Sequence, residues 1–181
     1  MARWRSVSWR TASTEHPSAV ARLRAATRAS HDGVDAAFGG YDLSDEAGYR
    51  AFLIAHARAL PAAERRMRTL PFARDLPART PLLAADLAAL GEAMPAPLPF
   101  PDADEGAAWG TLYVVEGSRL GGAMLARAVP AGWPAAYLGA VHAPGQWRAI
   151  RAAIDAADGD PDAMVAGALA TFDLYARAAA G

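Results

Sequence analysis

Val20, Leu23, Thr27, His31, Val34 and Phe38 recur at three- and four-residue spacing, so in a helix they share one face. An imidazole in the middle of such an apolar face either satisfies its ring nitrogens within the protein or coordinates something. Neutral imidazole is a good ligand for iron and other first-row metals, and from the residues alone both readings stay open. Arg24 lies seven residues before His31, two turns along the same helix. Its guanidinium either remains solvated or reaches a carboxylate at the edge of a flat ligand centred on His31. His16 and His142 stand near prolines in loop-like stretches and suggest no role, while His56 after Phe52 suggests a structural hydrogen bond.

The second chemical signal is Trp109 to Arg127, WGTLYVVEGSRLGGAMLAR. Each glycine inside a helix costs up to about 1 kcal/mol relative to alanine. Gly117 and Gly121 are four apart and face the same way. Their bare backbone allows close approach by another helix or by a flat ligand, and it predicts a kink or a local opening. A metal-type histidine on one helix and a helix stripped of side chains on another make a pair: a planar group between them would leave room for a small gas molecule.

These residues must be held by a bundle. Pro17 suits the first turn of a helix that runs to about Phe38 and stops at Gly39-Gly40. Ser44 or Asp45 can cap a second helix, which Pro61 should bend and Pro71 should end. Thr80-Pro81 reads as a cap with proline at the first helical position, and that helix should end at Gly91. MPAPLPFPDAD reads as an extended surface loop. Further helices are expected from about Asp104 to Val129, from Pro144 through Ala157, and from an Asp160-Pro161 cap through Ala179. No stretch alternates apolar and polar residues with β-branched enrichment, so the fold class is all-α, a single-domain helical bundle. Residues 1–15 lack periodicity and read as a flexible tail, leaving 16–181 as the domain.

Composition narrows the function. There are 18 basic and 19 acidic residues, which argues against a nucleic-acid binder, and every basic residue is arginine, which suits planar carboxylate partners. With no cysteine, thiolate metal sites and cysteine nucleophiles are excluded. No apolar run is long enough for a membrane span and no secretory signal is evident, so a soluble cytoplasmic protein is expected.

LRAATRASHDGVD (Leu23–Asp35) resembles the first-helix pattern of heme oxygenases, and YVVEGSRLGG (Tyr113–Gly122) resembles their distal-helix pattern in its bacterial form. YRAFLIAHARALPAAE (Tyr49–Glu64) is similar to the family's second helix, so the resemblance covers most of the chain from about Ser18.

The resemblance implies a heme-oxygenase-like fold and O2-dependent cleavage of heme, which is both substrate and cofactor. The products would be biliverdin, CO and ferrous iron, with electrons from an external reductase or ferredoxin. It makes His31 the proximal iron ligand and Gly117, Ser118 and Gly121 the distal catalytic face. It adds Arg24, Thr27, Tyr113, Arg148 and Phe172 to the heme-contacting set, Arg24 and Arg148 as propionate partners and Phe172 as an apolar wall. A phytochrome-type photoreceptor would be a natural acceptor of the biliverdin.

Ser118 departs from the better-known animal and cyanobacterial members, which carry aspartate at this position. A hydroxyl binds water without carrying charge, so proton delivery must be built differently. Glu116, one residue from Gly117, should point away from the glycine face. The competing expectation is a non-catalytic heme- or bilin-binding protein on the same fold. Two other chemistries on bundles of this shape lack their residues: thiamin-degrading enzymes need a cysteine, and di-iron oxidases need Glu-x-x-His pairs on facing helices.

Overall fold

The computed structural model describes residues 17–181, and the expected tail lies outside them. The described residues form seven α-helices and no strand: α1 Ala19–Phe38, α2 Glu46–Met67, α3 Pro71–Arg74, α4 Thr80–Ala89, α5 Glu105–Leu125, α6 Gln146–Asp155 and α7 Pro161–Ala179. A short 3-10 turn, Ala126–Ala128, follows α5. α7 packs against α1, α2 and α5, while α2 also carries α4 and α5 on its flank.

The starts of the helices follow capping chemistry. Ser18 caps α1 by accepting from the Ala21 amide at 3.3 Å, and Asp45 caps α2 through the Gly48 amide at 2.9 Å. Asp104 and Asp160 do the same for α5 and α7, with Pro161 in the first turn. The end of α4 also follows expectation: Gly91 adopts φ +77, a left-handed turn that glycine enters without strain.

The helices depart from expectation in several places, beginning with Pro17, which precedes the Ser18 cap instead of sitting in the first turn of α1. α2 runs through Pro61 and stops at Met67, and Pro71 opens α3 instead of ending α2. Thr80 is not the cap of α4, because its hydroxyl donates to Glu64 Oε2 at 2.7 Å. The buried Glu64 carboxylate of α2 does the capping, accepting from the amides of Arg79 at 2.6 Å and Thr80 at 3.2 Å. α6 begins at Gln146, not Pro144, because Gly145 sits at φ +82, outside helical space. α5 is continuous through all its glycines, without the local opening expected there.

The proline-rich segment lies along the surface, pinned by the Leu98 amide on Arg58 O at 2.7 Å. Phe100 is buried beneath the Arg66 guanidinium, which sits 3.3 Å from the ring centroid. No helix among the described residues is long and apolar enough to cross a membrane.

Candidate functional site

The apolar stripe of α1 is packed at both ends and open in the middle. Val20, Leu23, Thr27 and Phe38 are buried, yet Val34 is only half-buried and the His31 side chain is 58% exposed. A core-facing stripe loses hydrophobic stabilisation wherever it is left unpacked, so the gap calls for an occupant. Beside this gap lies a cavity of about 300 Å³ between α1, α5 and α7, closed at its inner end by α2 and the start of α4.

On the α1 side, His31 Nδ1 lies 3.2 Å from Asp35 Oδ2, one turn along, and the ring meets the Phe172 edge at 5.9 Å between centroids. With Nδ1 directed at a carboxylate, Nε2 is the nitrogen left to bind a metal. On the α5 side the wall is Tyr113, Gly117, Ser118, Gly121 and Gly122, flanked by Leu120 and Leu125. A methyl built on Gly121 would meet nothing within 4 Å, and one on Gly117 would touch the rim of Trp147 at 3.5 Å.

The inner end is aromatic and polar. His56 packs between Phe38 and Phe52, with centroids 4.3 and 4.2 Å away, and donates its Nδ1 proton to Phe52 O at 3.0 Å. Burial, helped by the Arg79 cation, pushes this imidazole down to about 4, so it is neutral at physiological pH. Arg79 enters from the start of α4, its Nη2 donating to Val115 O at 2.6 Å and to Ser118 Oγ at 2.8 Å. Tyr137 is held on the wall by Asp86, whose carboxylate takes the Ala136 and Tyr137 amides at 3.0 and 2.8 Å. Burial raises the Tyr137 and Tyr175 phenols, keeping both protonated.

Of the residues singled out in the sequence, His31, Tyr113, Gly117, Ser118, Gly121 and Phe172 all line this one cavity. Three others lie off its wall. Thr27 is buried with its hydroxyl donating to Leu23 O at 2.8 Å, inside its own helix. Arg24 is exposed, although its charge and that of Arg151 lower the half-buried Tyr113 phenol against the stronger upward push of burial. Arg148 is exposed, with Nη2 turned back toward Gly145 at the start of its helix. Ser118 is less free than expected: its proton goes to Val115 O at 2.8 Å.

Glu116 does turn away from the glycine face, pairing with Arg119 at 2.8 Å and His142 at 3.0 Å in a buried cluster. His142, given no role from sequence, stacks on Trp147 with an interplanar angle of 18° and so backs the ring that covers Gly117.

Sequence reading missed Arg79, Tyr137, Trp147 and Tyr175 and gave His56 only its structural bond. Tyr175 could have been found, since it follows Phe172 by three residues on one helical face. Arg79 carried no signal; in a proline-bounded loop it looks like any surface arginine.

No family model matches the chain. It is 38% identical over 87 residues to a heme oxygenase from Xanthomonas campestris pv. campestris (strain 8004), an alignment covering 42% of this chain and 50% of that protein. The chain thus matches about half the length of this curated relative. Among solved structures it resembles the NO- and CO-bound heme oxygenase of Neisseria meningitidis, with a TM-score of 0.78, 26% identity and 91% of each chain covered.

Proposed function

We propose that this chain belongs to the bacterial heme oxygenase family and cleaves heme with O2 to biliverdin, CO and ferrous iron, drawing electrons from an external reductase or ferredoxin. The observation that carries this reading is the slot itself: a half-exposed imidazole on α1 facing a bare turn of α5 across one apolar cavity.

The residues fit heme. His31 would hold the iron through Nε2, with Asp35 fixing the tautomer, and Phe172 would pack against the proximal side. We assign Gly117 and Gly121 to the distal face, where missing side chains leave space for a diatomic ligand. Arg24, Arg148 and Tyr113 serve as the polar set for the propionates at the open edge, and Thr27 steadies α1 behind His31. Heme, when bound, supplies the iron that activates O2 and the porphyrin carbon that is oxidised. The apolar walls exclude bulk water from that edge, and Ser118, anchored by Arg79, sets the shape of the distal floor.

A heme or bilin carrier is the second reading. It is favoured by Ser118, whose hydroxyl proton is held by the backbone. Both are tested by anaerobic heme titration of wild type and His31→Ala, followed by aerobic reduction. The oxygenase reading expects a histidine-type Soret band and release of biliverdin and CO from wild type, with both lost in the variant. Heme that stays bound and intact in wild type establishes the carrier, and an unchanged ferric spectrum in His31→Ala removes His31 as ligand.

A further inference from the structure

Three large apolar side chains stand in water near the end of α5, at the mouth of the cavity. Leu120 is 53% exposed, Met124 71% and Leu125 41%. Leu120 and Leu125 both line the cavity, and so does the bare Gly121. Met124 follows Leu120 by four residues and Gly121 by three, so it shares their face of the helix. Helical side chains lean toward the N-terminus, which brings its thioether back toward the Gly121 turn. An apolar patch beside a concave site is covered when a flat apolar ligand fills that site. The exposure also sets Met124 apart from the other methionines of the described residues. Met67 is 0% and Met164 1% exposed, and Met94 is half-buried against the core. The chain has no cysteine, so no thiol competes for an oxidant.

The oxygenase reading, on which the inference rests, supplies the oxidant. Two electrons and two protons added to O2 without oxidation of the porphyrin give hydrogen peroxide, which leaves through this mouth. We propose that Met124 is an oxidation site for that peroxide, and that its sulfoxide weakens the hold of the cavity on heme. In the step the O–O bond of hydrogen peroxide breaks. One oxygen joins the Met124 sulfur, which gives up two electrons, and the other leaves as water. A flexible apolar group becomes a polar, chiral one. Beside Leu120 and Leu125 the new S–O dipole loses its water to the ligand edge and gains no hydrogen bond there. The change is reversible, because sulfoxide reductases restore the thioether. Excess peroxide thus lowers heme loading at its own source, and the loss lasts only until the sulfur is reduced.

Ligand-free protein treated with dilute hydrogen peroxide tests the site without heme. Peptide mass spectrometry should show one added oxygen at Met124, at least about threefold faster than at Met67, Met94 or Met164. Oxidation led by any of those three overturns the proposal. The oxidised protein, freed of peroxide, should bind ferric heme about three- to tenfold more weakly in a Soret titration. Treatment with methionine sulfoxide reductase should bring the affinity back. In Met124→Leu the same peroxide treatment should change affinity by less than about 1.5-fold, which separates Met124 from any other oxidised residue. Unchanged affinity after complete oxidation of Met124, or an equal loss in Met124→Leu, overturns the proposal. Should Met124→Leu not fold, Met124→Ile is read in the same way. A wild type that binds heme but leaves it intact on aerobic reduction sinks the oxygenase reading alone, since added peroxide still decides Met124.

Discussion

At Gly110 an added methyl would overlap the Met164 carbonyl, whereas at Gly121, eleven residues on in the same helix, it would meet nothing within 4 Å. The first half of α5 is bare so that α7 can approach backbone to backbone, and α7 reciprocates with Gly167 against Ala107. The second half is bare beside a cavity, with Trp147 against Gly117 and open space at Gly121. One residue type thus closes one end of the helix interface and opens the other. Glycine content along a helix therefore carries no functional meaning until the object opposite each position is known.

Substitutions can break this contrast. Gly110→Ala should destabilise the fold by about 3 kcal/mol or more, since backbone must move to admit the methyl; denaturant unfolding measures it. A loss below about 1 kcal/mol would mean that the α5–α7 contact is looser than described.

The hollow half should show a pH signature through His56. Its ordinary value of 6.5 falls to about 4 on folding, so between these values the unfolded chain binds the extra proton. Stability from this group is complete above about pH 6.5 and declines as pH falls toward 4, by about 2 kcal/mol at pH 5. Unfolding curves at both pH values should show a flatter dependence in His56→Phe.

Gly121→Leu should weaken heme binding at least about tenfold in a Soret titration without destabilising the ligand-free protein, since leucine is nearly as good a helix former as alanine and meets open space. Smallest, and opposite in sign to Gly110→Ala, Gly121→Ala should stabilise the ligand-free protein by about 0.5 to 1 kcal/mol through helix propensity. A destabilisation there would place a neighbour where none is seen.

These contrasts also mark what could be read in advance. The helices were legible because caps and periodicity are local: Ser18, Asp45, Asp104 and Asp160 each act within three residues of themselves. The cap of α4 was not, because Glu64 reaches it from another helix. His31, Gly117 and Gly121 were legible as unusual residue types in their settings, and Phe172 through resemblance. Arg79 was illegible because its meaning comes from contacts 36 and 39 residues away, with Val115 and Ser118. The division of α5 was hidden as well, since Gly110 and Gly121 differ only in what the rest of the chain puts opposite them.

Glu64 grips the amides of Arg79 and Thr80 and the Thr80 hydroxyl, and it holds the arginine by its main chain alone. The guanidinium therefore hangs into the cavity from an anchor that does not depend on it. Exchanging that side chain leaves the anchor in place, so the inner end of the cavity can be rewritten in charge and length without unseating the helix that delivers it.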